Sequence, residues 1–150
     1  MKLLPAALAA ATLAASGLSA PAHAQMAERT YENGPVWTVS YIETKPGHFD
    51  DYLAYLNGPW RVLQDAGKKR GDILEYHVLA VDSPREHEPD VVLLIEYKSM
   101  GVFDRSLAEL DKDTVAAFGS TMKGTQESVK REEIRVLRGG LTTRELKFLK

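Results

Sequence analysis

The chain has 150 residues, with 19 Lys and Arg against 21 Asp and Glu, and it contains no cysteine. A formal net charge of −2 argues against nucleic acid or an anionic membrane surface as a partner, since both select for basic patches. The absence of cysteine excludes disulfides, thiol catalysis and cysteine-type zinc sites.

The first predicted element is an export signal. Lys2 precedes the small, apolar run "LLPAALAAATLAASGLSA", and "AHA" at 22–24 is a small-x-small cleavage site before Gln25. These parts predict a cleavable signal over residues 1–24, a periplasmic or secreted mature protein, and no stable membrane anchor after cleavage. His23 leaves with the signal. What remains is 126 residues, 150 less 24, which is one domain's worth. That length supports a packed core without cross-links. Cleavage removes one lysine and no acid, so the charge moves from −2 to −3.

Residues 25–35 are polar and aperiodic and are expected to form a flexible leader to a single domain over 36–150. "VWTVSYIET" (36–44) is β-branched and aromatic and predicts a strand. After "KPGH", Phe49, Tyr52, Leu53, Leu56, Trp60 and Leu63 recur at helical spacing. Gly58-Pro59 interrupts that run and predicts a kink or two abutting helices. The helix should stop at Gly71, after the chain's one basic run, "KKR" at 68–70.

"DILEYHVLAV" (72–81) and "DVVLLIEYK" (90–98) predict two more strands, joined by a polar loop and hence antiparallel. Helical spacing returns in "GVFDRSLAEL" (101–110) and "DTVAAFGSTMKGTQESVKRE" (113–132). A break is expected at "LDKD" (110–113), with Asp113 as N-cap. "EIRVLRGG" (133–140) is the last predicted strand, followed by an extended or mixed tail. The order β-α-β-β-α-β predicts an α+β, ferredoxin-like fold, with helices over one face of a four-stranded antiparallel sheet.

"VSYIETKPGHFDDYLAYL", "GDILEYHVL" and "DVVLLIEYKSMGVFD" resemble the dimeric α+β barrel superfamily. That superfamily includes antibiotic-biosynthesis-type and haem-degrading monooxygenases and the EthD and NIPSNAP groups. The likeness spans roughly Val36 to Lys147 and is nearest to small exported bacterial proteins of this fold. It implies a homodimer in which two sheets pair and bury their second faces. Haem-degrading members carry a histidine ligand in the second helical region. Residues 101–132 contain none, which argues against that activity.

Side-chain alternation then selects candidate site residues. On strand 72–81, Leu74, Tyr76, Val78 and Ala80 are expected to face the helices; Ile73, Glu75, His77, Leu79 and Val81 are expected to face the barrel interior. Glu75 and His77 lie about 6.6–7 Å apart along one face. An ionised glutamate buried without a partner costs several kcal/mol, so Glu75 should be paired with His77 or Arg135, be neutral, or touch water. His77 is the candidate base and Glu75 the candidate acid. Ser40, Trp60, Glu96 and Arg135 are the candidate substrate contacts, as polar or aromatic groups in an apolar cavity.

All but Ser40 also have a plainer role: Glu75–His77 as a wet or structural pair, Glu96–Arg135 as a cross-strand ion pair, Trp60 as core. A bulge would invert the faces and bring Tyr41, Tyr76 and Tyr97 to the pocket instead. "GHFDD" (47–51) and "REHEPD" (85–90) hold His48 and His87 among acids and are read as solvated, so no metal site is expected. No phosphate loop or nucleophile elbow occurs, and no cofactor is expected. The reading is a homodimer that binds a small aromatic or apolar compound, acting as a cofactor-independent oxygenase, isomerase or cyclase. The alternative is a non-enzymatic accessory or stress-related dimer with a filled barrel.

Overall fold

The computed structural model describes residues 28–150; the expected signal over 1–24 and the start of the leader lie outside the described residues. Four strands, β1 (Tyr31–Thr44), β2 (Ile73–Ala80), β3 (Val91–Tyr97) and β4 (Arg135–Phe148), form one sheet in the order β2-β3-β1-β4. All neighbours are antiparallel. Helices α1 (Phe49–Tyr55) and α2 (Arg61–Arg70) connect β1 to β2, and α3 (Leu107–Phe118) and α4 (Thr121–Ile134) connect β3 to β4. This is the ferredoxin-like arrangement that the element order predicts.

The core lies between the sheet and α1–α2. Ile42, Tyr52, Leu56, Trp60, Val91 and Leu93 form one buried cluster, with Tyr76, Ile95 and Ile134 packed around it. The Gly58-Pro59 break is present. Leu56–Trp60 is a widened turn in which Gly58 leaves helical geometry (φ −99, ψ −115). Proline has no N–H to donate, so the regular ladder cannot run through Pro59. The break leaves both Leu56 and Trp60 pointing inward, and Trp60 meets Tyr76 edge-on at 5.3 Å. Gly71, in the left-handed conformation at φ 77, ends α2 as expected.

Three expectations are corrected. β1 begins at Tyr31, inside the expected leader, because Tyr31, Glu32 and Asn33 pair with Phe148, Lys147 and Leu146. The tail, expected to be extended or mixed, is extended and forms the second half of β4. The break expected at 110–113 is absent, and α3 runs through it. Ser106 and Glu109 form a capping box that starts this helix, and Gly119 (φ 82) ends it. Ser120 then caps α4 by accepting the Lys123 N–H. Asp113 caps nothing; it takes hydrogen bonds from Arg70 and Arg105 at 2.9 and 2.7 Å.

Candidate functional site

Register decides which candidates share a face, because cross-strand partners point the same way. Glu75 pairs with Glu96, His77 with Leu94, and Glu96 with Trp37. Trp37 pairs in turn with Thr143. These residues occupy the sheet face away from the helices. Ser40 pairs with Leu93 and lies on the helix side with Thr38 and Ile42. Arg135 opens β4 opposite Thr44, over the Tyr52 ring at 5.8 Å.

The sheet therefore separates the six candidates into two groups. Glu75, His77 and Glu96 are on the open face; Ser40, Trp60 and Arg135 are under the helices. Arg135 bonds Glu132 at 2.8 Å, so it pairs with neither Glu75 nor Glu96 as expected from sequence. A register shift between Ile73 and Glu75 also corrects one strand assignment. It turns Ile73 inward against Gly67 and leaves Leu74 exposed, while Glu75 and His77 keep the expected face. Tyr76 and Tyr97 sit on the helix side and Tyr41 on the open face, so that trio does not converge.

Two helix-side cavities are walled by Trp60. One, of about 300 Å³, is lined mainly by Leu53, Leu56, Val78 and Tyr76, with Asn57 and Arg61 as polar groups. Its position follows from the Gly58-Pro59 break, which opens the helix wall at that point. Tyr76 donates to Asp65 at 2.6 Å. That bond, made to the neutral phenol, holds the Tyr76 hydroxyl above its ordinary value of 10.0, with burial adding to the rise.

The other cavity, of about 200 Å³, lies between Ser40, Leu93 and Leu137 on the sheet and Tyr52, Tyr55, Arg131 and Arg135. Tyr52 and Tyr55 stack at 6.1 Å, one helical turn apart in the chain. Arg131 lies over the Tyr55 ring at 4.9 Å and donates to its hydroxyl. Burial pushes the Tyr52 phenol up, and the two arginines only partly oppose this. Tyr52 is thus a neutral donor at ordinary pH, not a base.

Sequence reasoning missed Tyr52, Tyr55 and Arg131 as site residues. Tyr52 belongs to the apolar helical stripe and reads as core. Arg131 reads as surface in a polar helix. The available signal was the four-residue spacing of Arg131 and Arg135 across a helix–strand junction.

Of the two histidines set among acids, His48 stays within its own helical turn, whereas His87 reaches Glu43 of β1 and Arg138 of β4. His48 bonds Asp51 at 2.8 Å, and His87 lies 3.6 Å from Glu43. Among the described residues, no three His, Cys, Asp or Glu side chains are grouped to hold a metal ion. Among the same residues, no helix is long and apolar enough to cross a membrane.

No protein-family model and no curated protein matches the chain. Solved structures do. A dimeric ferredoxin-like protein from an uncultured marine organism is 19% identical, with TM-score 0.45, covering 77% of this chain and 98% of its own. PA3566 from Pseudomonas aeruginosa is 16% identical, with TM-score 0.39, over 77% of this chain and 96% of its own. SO0527 from Shewanella oneidensis is 12% identical, with TM-score 0.42, over 80% and 99%. The fold assignment for this chain rests on its own strand order and connectivity: an α+β, ferredoxin-like sheet of order β2-β3-β1-β4.

Proposed function

We propose that this is an exported homodimer that binds a small aromatic or apolar molecule in the helix-side cavities beside Trp60. The observation that carries the reading is the pair of cavities on either side of one buried indole, mostly apolar with a few placed polar groups. Small-molecule sites have that composition. Dimerisation is supported by the open sheet face. Leu79 and Leu141 are exposed there, next to Trp37, Val39 and Leu94. A sheet face meant for water alternates to polar residues instead.

A second reading places chemistry on that open face. Glu75 and Glu96 oppose each other directly, with His77 alongside on β2. Enclosed in a dimer, the three would supply a base, His77, and an acid, Glu75, for cofactor-independent isomerisation, cyclisation or oxygenation. The motivation is that opposed like charges weaken a sheet unless something else uses them.

The test is a thermal-shift screen against phenols, quinones and fatty acids, since a ligand specific to the native state raises Tm by mass action. Wild type is compared with Val78→Phe, which fills the larger cavity, and with His77→Ala. A shift lost in Val78→Phe and kept in His77→Ala is expected. Loss in His77→Ala alone moves the site to the open face. Silence across the panel leaves the non-enzymatic accessory dimer.

A further inference from the structure

The smaller cavity has two guanidiniums in its wall and no carboxylate. Arg135 is nine-tenths buried, with side-chain exposure of 10%. The Nε atoms of both Arg131 and Arg135 are buried without a hydrogen-bond partner among the described residues. A buried N–H of a charged group left unbonded is costly, so both guanidiniums are undercompensated within the protein. The partners that do exist are weak opponents of this charge. Glu132 takes one edge of Arg135, but its side chain is 58% exposed, so water screens the pair. Arg131 has only the neutral acceptors Tyr55 and Ser128, and among the described residues no carboxylate lies within ion-pair distance of it.

Resting on the helix-side reading above, we propose that this cavity binds the carboxylate of a compact apolar acid. Arg131 and Arg135 donate charge-assisted hydrogen bonds to the anion, which are the strong class of hydrogen bond. The Tyr55 hydroxyl accepts from Arg131, which leaves its own proton to donate. Ile42, Trp60, Leu93 and Leu137 form the apolar wall for the rest of the molecule. The size is limiting. A volume of about 200 Å³ is somewhat larger than the ~150 Å³ apolar cavity that takes up benzene, which suits a benzoate-sized acid. The neutral Tyr52 phenol beside the arginines adds no competing negative charge.

The experiment is isothermal titration of the purified protein with two matched pairs: benzoate against benzamide, and cyclohexanecarboxylate against its carboxamide. Each acid is expected to bind at least about tenfold tighter than its amide. Arg131→Gln and Arg135→Gln should bring that ratio close to one while amide affinity stays within about twofold. Glu132→Gln removes the competing carboxylate at the rim and should raise affinity for the acid only. Should Arg135→Gln fail to fold, Arg131→Gln carries the test, because Arg131 bonds only the neutral Tyr55 and Ser128 side chains and its loss leaves no carboxylate unpaired.

Equal binding of acid and amide by wild type overturns the carboxylate assignment and leaves the small-molecule site standing. So does a preference that survives in Arg131→Gln. Failure of both acids and both amides overturns the assignment too; only with a silent phenol and quinone screen does the helix-side reading fall with it.

Discussion

At the scale of single residues, Asp72 and Gly140 show how little freedom particular positions have. Asp72 joins Arg70 at 3.0 Å and Lys98 at 3.1 Å. The hydrogen bond from Arg70, then the one from Lys98, holds its carboxyl below the ordinary value of 3.8. A carboxyl depressed in the folded state contributes stability above its unfolded value and loses it as pH falls through the folded one. Asp72→Asn is therefore expected to be less stable than wild type near neutrality, with the gap closing as the pH drops below 3.8. Urea melts across a pH series would check this, and a gap independent of pH would disprove it.

Gly140 has a different constraint. A Cβ there would sit 2.7 Å from the Val39 carbonyl oxygen, which is strand backbone and cannot move aside. Gly140→Ala should cost about 1–3 kcal/mol as overpacking, read from the shift in the chemical-denaturation midpoint. At Gly67 the same test would be less clean, because the nearest atom is the tip of the Ile73 side chain.

At the scale of elements, helix ends decide where the cavities lie. The Gly58-Pro59 break sets Trp60 between the two cavities, and the α4–β4 junction brings Arg131 and Arg135 to the smaller one. α4 owes its start to Ser120, whose hydroxyl accepts the Lys123 N–H at 3.1 Å. Ser120→Ala should destabilise the fold by about 1 kcal/mol, while Ser120→Asp should be close to neutral. Thermal melts of the two variants would separate capping from mere loss of a polar side chain. α4 also crosses α3 closely at Gly124, where an added Cβ would meet Thr114 at 2.5 Å. These helix positions are thus fixed by a cap at one end and a close approach along their length.

At the scale of the whole molecule, the sheet has one face covered by helices and one that nothing among the described residues covers. Leu94 sits near the middle of the uncovered face, opposite both Val39 and His77. If two copies pair through this face, Leu94→Arg places a charge in the centre of the interface and should yield a monomer by sedimentation. The variant should keep its far-UV spectrum, because Leu94 points away from the helix-side core. A wild type that sediments as a monomer at micromolar concentration would rule the pairing out.

Much of this was legible from local patterns. Alternation over 72–81 and 90–98, the helical stripe from Phe49 to Leu63, and the Gly58-Pro59 and Gly71 signals each report a local backbone preference. Such preferences survive into the fold. The ends of β1 and β4 were not legible, because Tyr31–Asn33 and Leu146–Phe148 have no pattern of their own and become strands only by pairing with each other. The break between α3 and α4 was misplaced because both Asp113 and Ser120 are competent caps. The left-handed Gly119 selected the second.

The same division holds for the site. The sequence by itself determined which residue types were available: two arginines four apart, a tryptophan beside a helix break, a glutamate and a histidine on one strand face. Only the tertiary structure decided which of them meet. Side-chain alternation says that two residues of one strand share a face, but it does not say which face the helices cover. That depends on register, bulges and the packing of distant segments. These put Ser40, Trp60 and Arg135 on one side of the sheet and Glu75, His77 and Glu96 on the other.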